Sequence, residues 1–161
     1  MKRSQSKGFT LIELLVVIAI IGLLSTLAVV ALNSARQRSR DAKRVSDIRQ
    51  IQTALELAFS ESNNYPTESS TTLGSASEDV LCNVGGAATF QADTTGCSTI
   101  YMGLVPSNPT PNGANYVYNS ASNSGTYWIT FSLEGATGQL GAGANCANQN
   151  GIQADDATPG C

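Results

Sequence analysis

The chain has 161 residues, of which 42% are hydrophobic and 13% charged, with no histidine and a formal net charge of −3. That value hides a polarity: all nine Lys and Arg residues lie within the first 49 positions, while residues 50–161 carry nine acids and no base. An acidic C-terminal portion repels phosphate, so direct nucleic-acid binding by its surface is not expected, and without histidine no Ser-His-Asp or Cys-His catalytic arrangement is available.

The chain opens on a short basic leader, Met1 to Lys7, carrying Lys2, Arg3 and Lys7, and closed by Gly8. Phe9 to Leu32 then forms a 24-residue apolar stretch whose only charge is Glu13. As a helix it would run ~36 Å, enough to cross a ~30 Å hydrocarbon core. A carboxylate near the start of such a segment is costly to bury unless partnered, and so marks a functional position. An ordinary secretory signal has an apolar core of roughly 7–15 residues with its cut behind it. Here the run is longer than that, and a plain signal anchor would give no reason for Glu13.

Asn33 to Ser62 contains neither Pro nor Gly. Val45, Ile48, Ile51, Leu55 and Ala58 recur at spacings of three and four, one stripe of an amphipathic helix. Lys43 with Asp47 and Asp41 with Arg44 read as weak surface pairs. The apolar run is therefore expected to continue as a single helix from about Phe9 to Glu61, some ~80 Å long. Gly22 is its soft point, since glycine costs ~1 kcal/mol against alanine within a helix. Ser62-Asn63-Asn64-Tyr65-Pro66 ends it: Asn supplies left-handed geometry and Pro66 cannot continue. These divisions give a leader at 1–8, a transmembrane half at 9–32, an amphipathic half at 33–62 and a small globular head at 63–161.

Within the head, Thr67 to Gly96 is rich in Ser, Thr, Gly and Ala and reads as a long connecting loop. Ile100 to Val105 suggests a short apolar turn, and Pro109 and Pro111 exclude regular structure after it. Two strands follow, Asn115 to Tyr118 and Tyr127 to Leu133, the second with Tyr127, Ile129, Phe131 and Leu133 alternating in period two. A hairpin around 114–134, laid on the apolar stripe of the helix, would bury both surfaces. The aromatic set Tyr116, Tyr118, Tyr127 and Trp128 reads as sheet core more simply than as an adhesive patch. Gln139-Leu140 offers a weak third strand, and the tail from Gly141 is too polar to hold itself. The four cysteines all follow the apolar run, and there is neither His nor a Cys-x-x-Cys pair to suggest zinc. Two disulfides in an exported head are the better reading. Sequence proximity pairs Cys82 with Cys97 and Cys146 with Cys161, each worth ~3 kcal/mol by loop entropy. Asp155-Asp156 could join a calcium site, although a solvated polar tail explains them more simply.

The basic leader ending Lys7-Gly8, followed by Phe9-Thr10-Leu11-Ile12-Glu13-Leu14 and an aliphatic run, resembles the type IV pilins and the pseudopilins of type II secretion. The resemblance covers Met1 to about Tyr65, and Tyr65-Pro66 after the long helix is common in the pseudopilin branch. It implies an α+β fold, a long N-terminal helix packed against a small antiparallel sheet. It also implies that a prepilin peptidase cuts after Gly8 and methylates Phe9, and that Glu13 is the assembly glutamate, paired with the freed Phe9 amine of a neighbouring subunit. Many pilins break this helix with a proline; here none occurs before Pro66. Arg36 to Arg49 would place the C-terminal side in the cytoplasm by the positive-inside count; the resemblance implies the reverse, leader inside and head outside. The function implied is a structural, non-enzymatic subunit of a type IV pilus-like filament in the cytoplasmic membrane and then outside it. Its partners would be further copies of itself, the prepilin peptidase and an inner-membrane assembly platform. A type II secretion pseudopilin is the alternative, and a membrane-anchored surface binding domain that never polymerises is the second. No cofactor is implied, except that some major pseudopilins bind calcium in a C-terminal loop.

Overall fold

The computed structural model describes residues 8–120 and 125–154. One helix, α1 (Leu11–Ser62), precedes eight strands: β1 (Thr71–Thr72), β2 (Val80–Val84), β3 (Ala87–Gln91), β4 (Thr99–Met102), β5 (Val117–Ser120), β6 (Tyr127–Leu133), β7 (Gly143–Asn148) and β8 (Gly151–Ala154). The chain divides into two compact units between Arg36 and Gln37. In the first, the helix is apolar and exposed all round. In the second, α1 buries Ile48, Ile51, Ala54, Leu55 and Ala58 while its opposite side faces solvent. The helix closes at Asn63, whose backbone adopts φ 55° and whose N–H donates to the Phe59 carbonyl at 2.8 Å. Asn tolerates this left-handed geometry.

All strand pairing among the described residues is antiparallel, in two sheets: a five-stranded one ordered β1-β5-β6-β7-β8 and a three-stranded one ordered β3-β2-β4. The central strand β6 begins and ends where period-two alternation places it. Tyr127, Ile129, Phe131 and Leu133 are buried, and Trp128, Thr130 and Ser132 are half-buried on the other face. The buried side chains meet Ile48, Ile51 and Leu55 of α1 and, from the smaller sheet, Leu81 and Phe90 in one core. Tyr65 stacks on Phe59 and meets Tyr127 edge-on, both at 4.6 Å between ring centroids. Such aromatic pairs contribute ~1 kcal/mol beyond their burial.

The architecture is the α+β arrangement expected, with two sheets rather than one. Residues 67–96 are not a loop: β2 and β3 form a hairpin there, and β4 pairs on the other edge of β2 where an apolar turn was expected. The turn is Gly85-Gly86, with φ of 62° and 95°. Two successive positive φ values define the type I′ turn that suits the twist of a hairpin, and glycine enters both without strain. The tail from Gly141 does hold itself, because β7 pairs with β6 along its whole length and β8 returns along β7. Asn148 Oδ1 fixes that return by accepting the Asn150 N–H at 2.9 Å. Gln139-Leu140 forms no strand; Thr137 and Leu140 make an isolated bridge.

Candidate assembly site

Thr10 and Glu13 build the start of α1. Thr10 stands just before the first helical residue, where the leading N–H groups have no partner within the helix. Glu13 Oε2 accepts from the Thr10 N–H at 2.8 Å and from its hydroxyl at 2.6 Å, and Thr10 Oγ1 accepts from the Glu13 N–H at 3.3 Å. This is a capping box, in which residues three apart satisfy one another's orphaned groups. Its Thr-x-x-Glu signature ahead of an apolar run was present in the sequence, so Thr10 belongs to the site although only Glu13 drew notice there. Both of these bonds to the Glu13 carboxylate use Oε2. Phe9, Ile12, Glu13, Val16 and Val17 line one concave face beside it, and Phe9 is 83% exposed.

From Leu14 to Leu32 the exposed surface of the helix is almost entirely apolar. Leu, Ile and Val side chains from Leu11 to Leu32 are exposed around the whole circumference, and the stretch is long and apolar enough to cross a membrane. Two hydroxyl residues, Ser25 and Thr26, interrupt it, and Thr26 donates to the Leu23 carbonyl at 2.8 Å. The bond satisfies the group within the helix, as a lipid environment requires. A Cβ at Gly22 would meet nothing within 4 Å, so the glycine serves no packing within this chain. Small residues of this kind let a second helix approach closely.

The second unit contains a buried ionic hub absent from the sequence reading. Asp41 and Arg44 pair as expected at 2.6 Å, but they are not a surface pair: their side chains are 2% and 0% exposed. The reason is Glu134, which follows β6 and brings a second carboxylate to the same guanidinium at 2.8 Å. Arg44 also donates to Asn108 Oδ1 and to the carbonyls of Pro109 and Asn112. Asp41 accepts the N–H groups of Glu134 and Gly135, each at 2.9 Å. Arg40 grips Glu134 through two parallel bonds of 2.7 and 2.6 Å, the fork geometry in which Arg–carboxylate pairs are strongest. Hydrogen bonds from Arg40 hold the Glu134 carboxyl well below the usual carboxylate range against the effect of burial, with further help from Arg44 and Asn112. The hub fastens the proline-rich segment 106–113, which has no regular structure of its own, to α1. Lys43 and Asp47 pair at 3.0 Å as the spacing predicts, but only the lysine is at the surface: Asp47 is buried and also accepts the Tyr116 hydroxyl at 3.1 Å.

Cys82, in β2, is bonded to Cys97. Cys146, in β7, is also disulfide-bonded; its expected partner Cys161 lies outside the described residues, as do Asp155 and Asp156. Among the described residues no three His, Cys, Asp or Glu side chains gather as a metal site would need. Tyr116, Tyr118 and Tyr127 belong to the core.

The prokaryotic N-terminal methylation motif matches residues 3–29. The chain is 39% identical over 67 residues to the type II secretion system core protein G of Aeromonas hydrophila, a match covering 42% of this chain and 47% of that protein. To the protein of the same name from Vibrio cholerae it is 28% identical over 155 residues, covering 92% and 95% of the two chains. It is 36% identical over 61 residues to the type IV major pilin protein PilA of Myxococcus xanthus, covering 38% of this chain and 28% of that one. At the higher identities, then, the chain spans about half or less of the curated relatives it matches. No solved structure matches it. A long N-terminal helix on antiparallel sheets, with an acid at the head of an apolar run, is the build of a pilin-like protein. Motif, relatives and architecture together support membership of the pilin and pseudopilin family.

Proposed function

We propose that the chain is a pseudopilin, a structural subunit that is cut after Gly8, methylated at Phe9 and polymerised through its N-terminal helix into a fibre of a type II secretion system. The observation that carries this reading is the apolar run from Leu11 to Leu32, exposed on every side in a chain whose head closes its own core. Each Leu, Ile or Val gains ~1.5–3 kcal/mol when fully buried, so such a run leaves lipid only where neighbouring helices cover it. The pseudopilin reading is preferred over a type IV pilus subunit because likeness to a secretion protein covers 92% of the chain, head included, whereas likeness to the pilin covers 38% of it. The partners are further copies, the prepilin peptidase and an inner-membrane assembly platform. The leader faces the cytoplasm and the head the outside.

Glu13 tests the reading. Within a bundle of apolar helices an unpaired carboxylate costs several kcal/mol, and the Phe9 amine of a neighbour is the cation closest in sequence register. Glu13→Val is expected to insert in the membrane and to be cut at Gly8, yet to lose sheared-filament yield relative to total membrane-bound protein. Undiminished filaments from the variant would remove the mechanism. A wild-type protein that is cut but never polymerises would favour a membrane-anchored binding domain.

A further inference from the structure

The solvent-facing stripe of α1 in the head is electrically bipolar. Lys43 and Arg49 occupy its N-terminal part, Glu56 and Glu61 its C-terminal part, and all four are exposed. Every ion pair among the described residues takes Asp41, Asp47 or Glu134 as its acid, so neither Arg49 nor Glu56 is matched within the described chain. Glu56 accepts only the neutral Tyr65 hydroxyl, at 2.9 Å. Beside Arg49 lies a groove of about 340 Å³ with Val45, Leu140 and Ile152 in its lining. Next to Glu56 stands Leu57, a large apolar side chain left 54% exposed. One part of the stripe thus presents an apolar hollow edged by a cation, and the other an apolar knob edged by an anion.

We infer that the groove at Arg49 receives the Glu56-Leu57 segment of a second copy of this chain, with Glu56 paired to Arg49 and Leu57 seated against Val45, Leu140 and Ile152. Arg49 and Glu56 lie two turns apart on the same helix face, ~10.5 Å along its axis. Chains anchored in one membrane by the same helix run parallel. A two-fold axis along parallel helices would set Arg49 level with Arg49, bringing like charges together. Pairing Arg49 with Glu56 instead requires an axial step. Each copy then uses its groove toward one neighbour and its knob toward the other, a head-to-tail contact that does not close and so propagates as a filament. The inference rests on the filament reading above and adds which surfaces of the head meet and in what order.

The test is a charge swap in the full-length protein, reading sheared filaments against membrane-bound subunit. Arg49→Glu and Glu56→Arg, each alone, are expected to lower the yield about tenfold by setting like charges together, and the double variant to recover most of it. Recovery would also exclude anionic lipid headgroups as the occupant, since a lipid cannot follow the swap. Coexpressed Arg49→Cys and Glu56→Cys chains are expected to form an oxidised dimer in otherwise wild-type fibres. One chain carrying both cysteines cannot close on itself, because bridged Cα atoms lie within about 7 Å. Wild-type fibres that tolerate both single reversals and give no mixed dimer would overturn the inference and leave the filament reading standing; absence of wild-type fibres would overturn both.

Discussion

Arg44 and Glu134 stand 90 residues apart in sequence and meet at 2.8 Å, the arginine side chain fully enclosed. The pair joins the helix to the end of the central strand. Arg44 simultaneously holds Asp41 and two loop carbonyls, so no single group on the hub can leave without stranding another.

Removing the shared cation should therefore be severe. Arg44→Leu leaves two carboxylates facing each other in a buried site and is expected to destabilise the head by ~3–5 kcal/mol. Denaturant unfolding of the detergent-solubilised chain would measure it. Glu134→Gln tests the acid limb. A carboxyl held below its ordinary value contributes stability that is present above its unfolded value of ~4.3 and lost as pH falls through the folded one. The variant is expected to show a shallower stability loss below about pH 5 than wild type; identical acid profiles would show that Glu134 carries no linkage.

The alkaline limb has a separate origin. Burial pushes up all five tyrosines, Tyr65, Tyr101, Tyr116, Tyr118 and Tyr127. The unfolded chain releases these protons near pH ~10, while the folded head retains them longer. Stability should therefore fall as pH rises through about 10, with phenolate absorbance appearing together with loss of structure rather than before it. Early, reversible ionisation of all five in the folded state would contradict the enclosed core.

Processing is expected to follow from Gly8. Mass spectrometry of the mature subunit should give an N-methylated Phe9 terminus, and Gly8→Val should leave an uncut precursor in the membrane. Surface-assembled protein that retains residues 1–8 would exclude this cut.

Reduction should loosen the smaller sheet first. The Cys82–Cys97 bond closes a sequence separation of 15, for which loop entropy gives ~3 kcal/mol. A Cys82→Ala, Cys97→Ala variant should accordingly exchange backbone amide protons faster in β2, β3 and β4 than in β5 and β6. Uniform protection across both sheets would argue against a local role.

What could be read from the sequence was whatever one stretch of chain decides alone. The apolar stripe of α1, the end at Asn63 and the register of β6 each follow from periodicity or a single residue's backbone preference. The β2–β3 hairpin was also legible, from Gly85-Gly86 between two strand-like runs, but composition rich in Ser, Thr and Ala hid it. Strand β7 was not legible. Gly143-Ala144-Asn145-Cys146 has little strand character, and what makes it a strand is the long edge of β6 beside it, a tertiary override of propensity. Nor could spacing reveal the hub, since Asp41 with Arg44 three apart looks the same whether Glu134 arrives or water does. At the N-terminus the cost of a carboxylate in lipid singles out Glu13, and the Thr-x-x-Glu spacing ahead of an apolar run was a legible pointer to Thr10.

Trp128 turns the fold into its own instrument. It is the chain's sole tryptophan, half-buried in the central strand and paired across to Asn119 and Asn148, and no tyrosine or tryptophan precedes Tyr65. The tyrosine and tryptophan signals in fluorescence and near-ultraviolet dichroism therefore report on the head alone, whatever lipid, detergent or fibre surrounds the helix. A subunit can be followed out of the membrane by one optical signal that stays constant if the head travels folded.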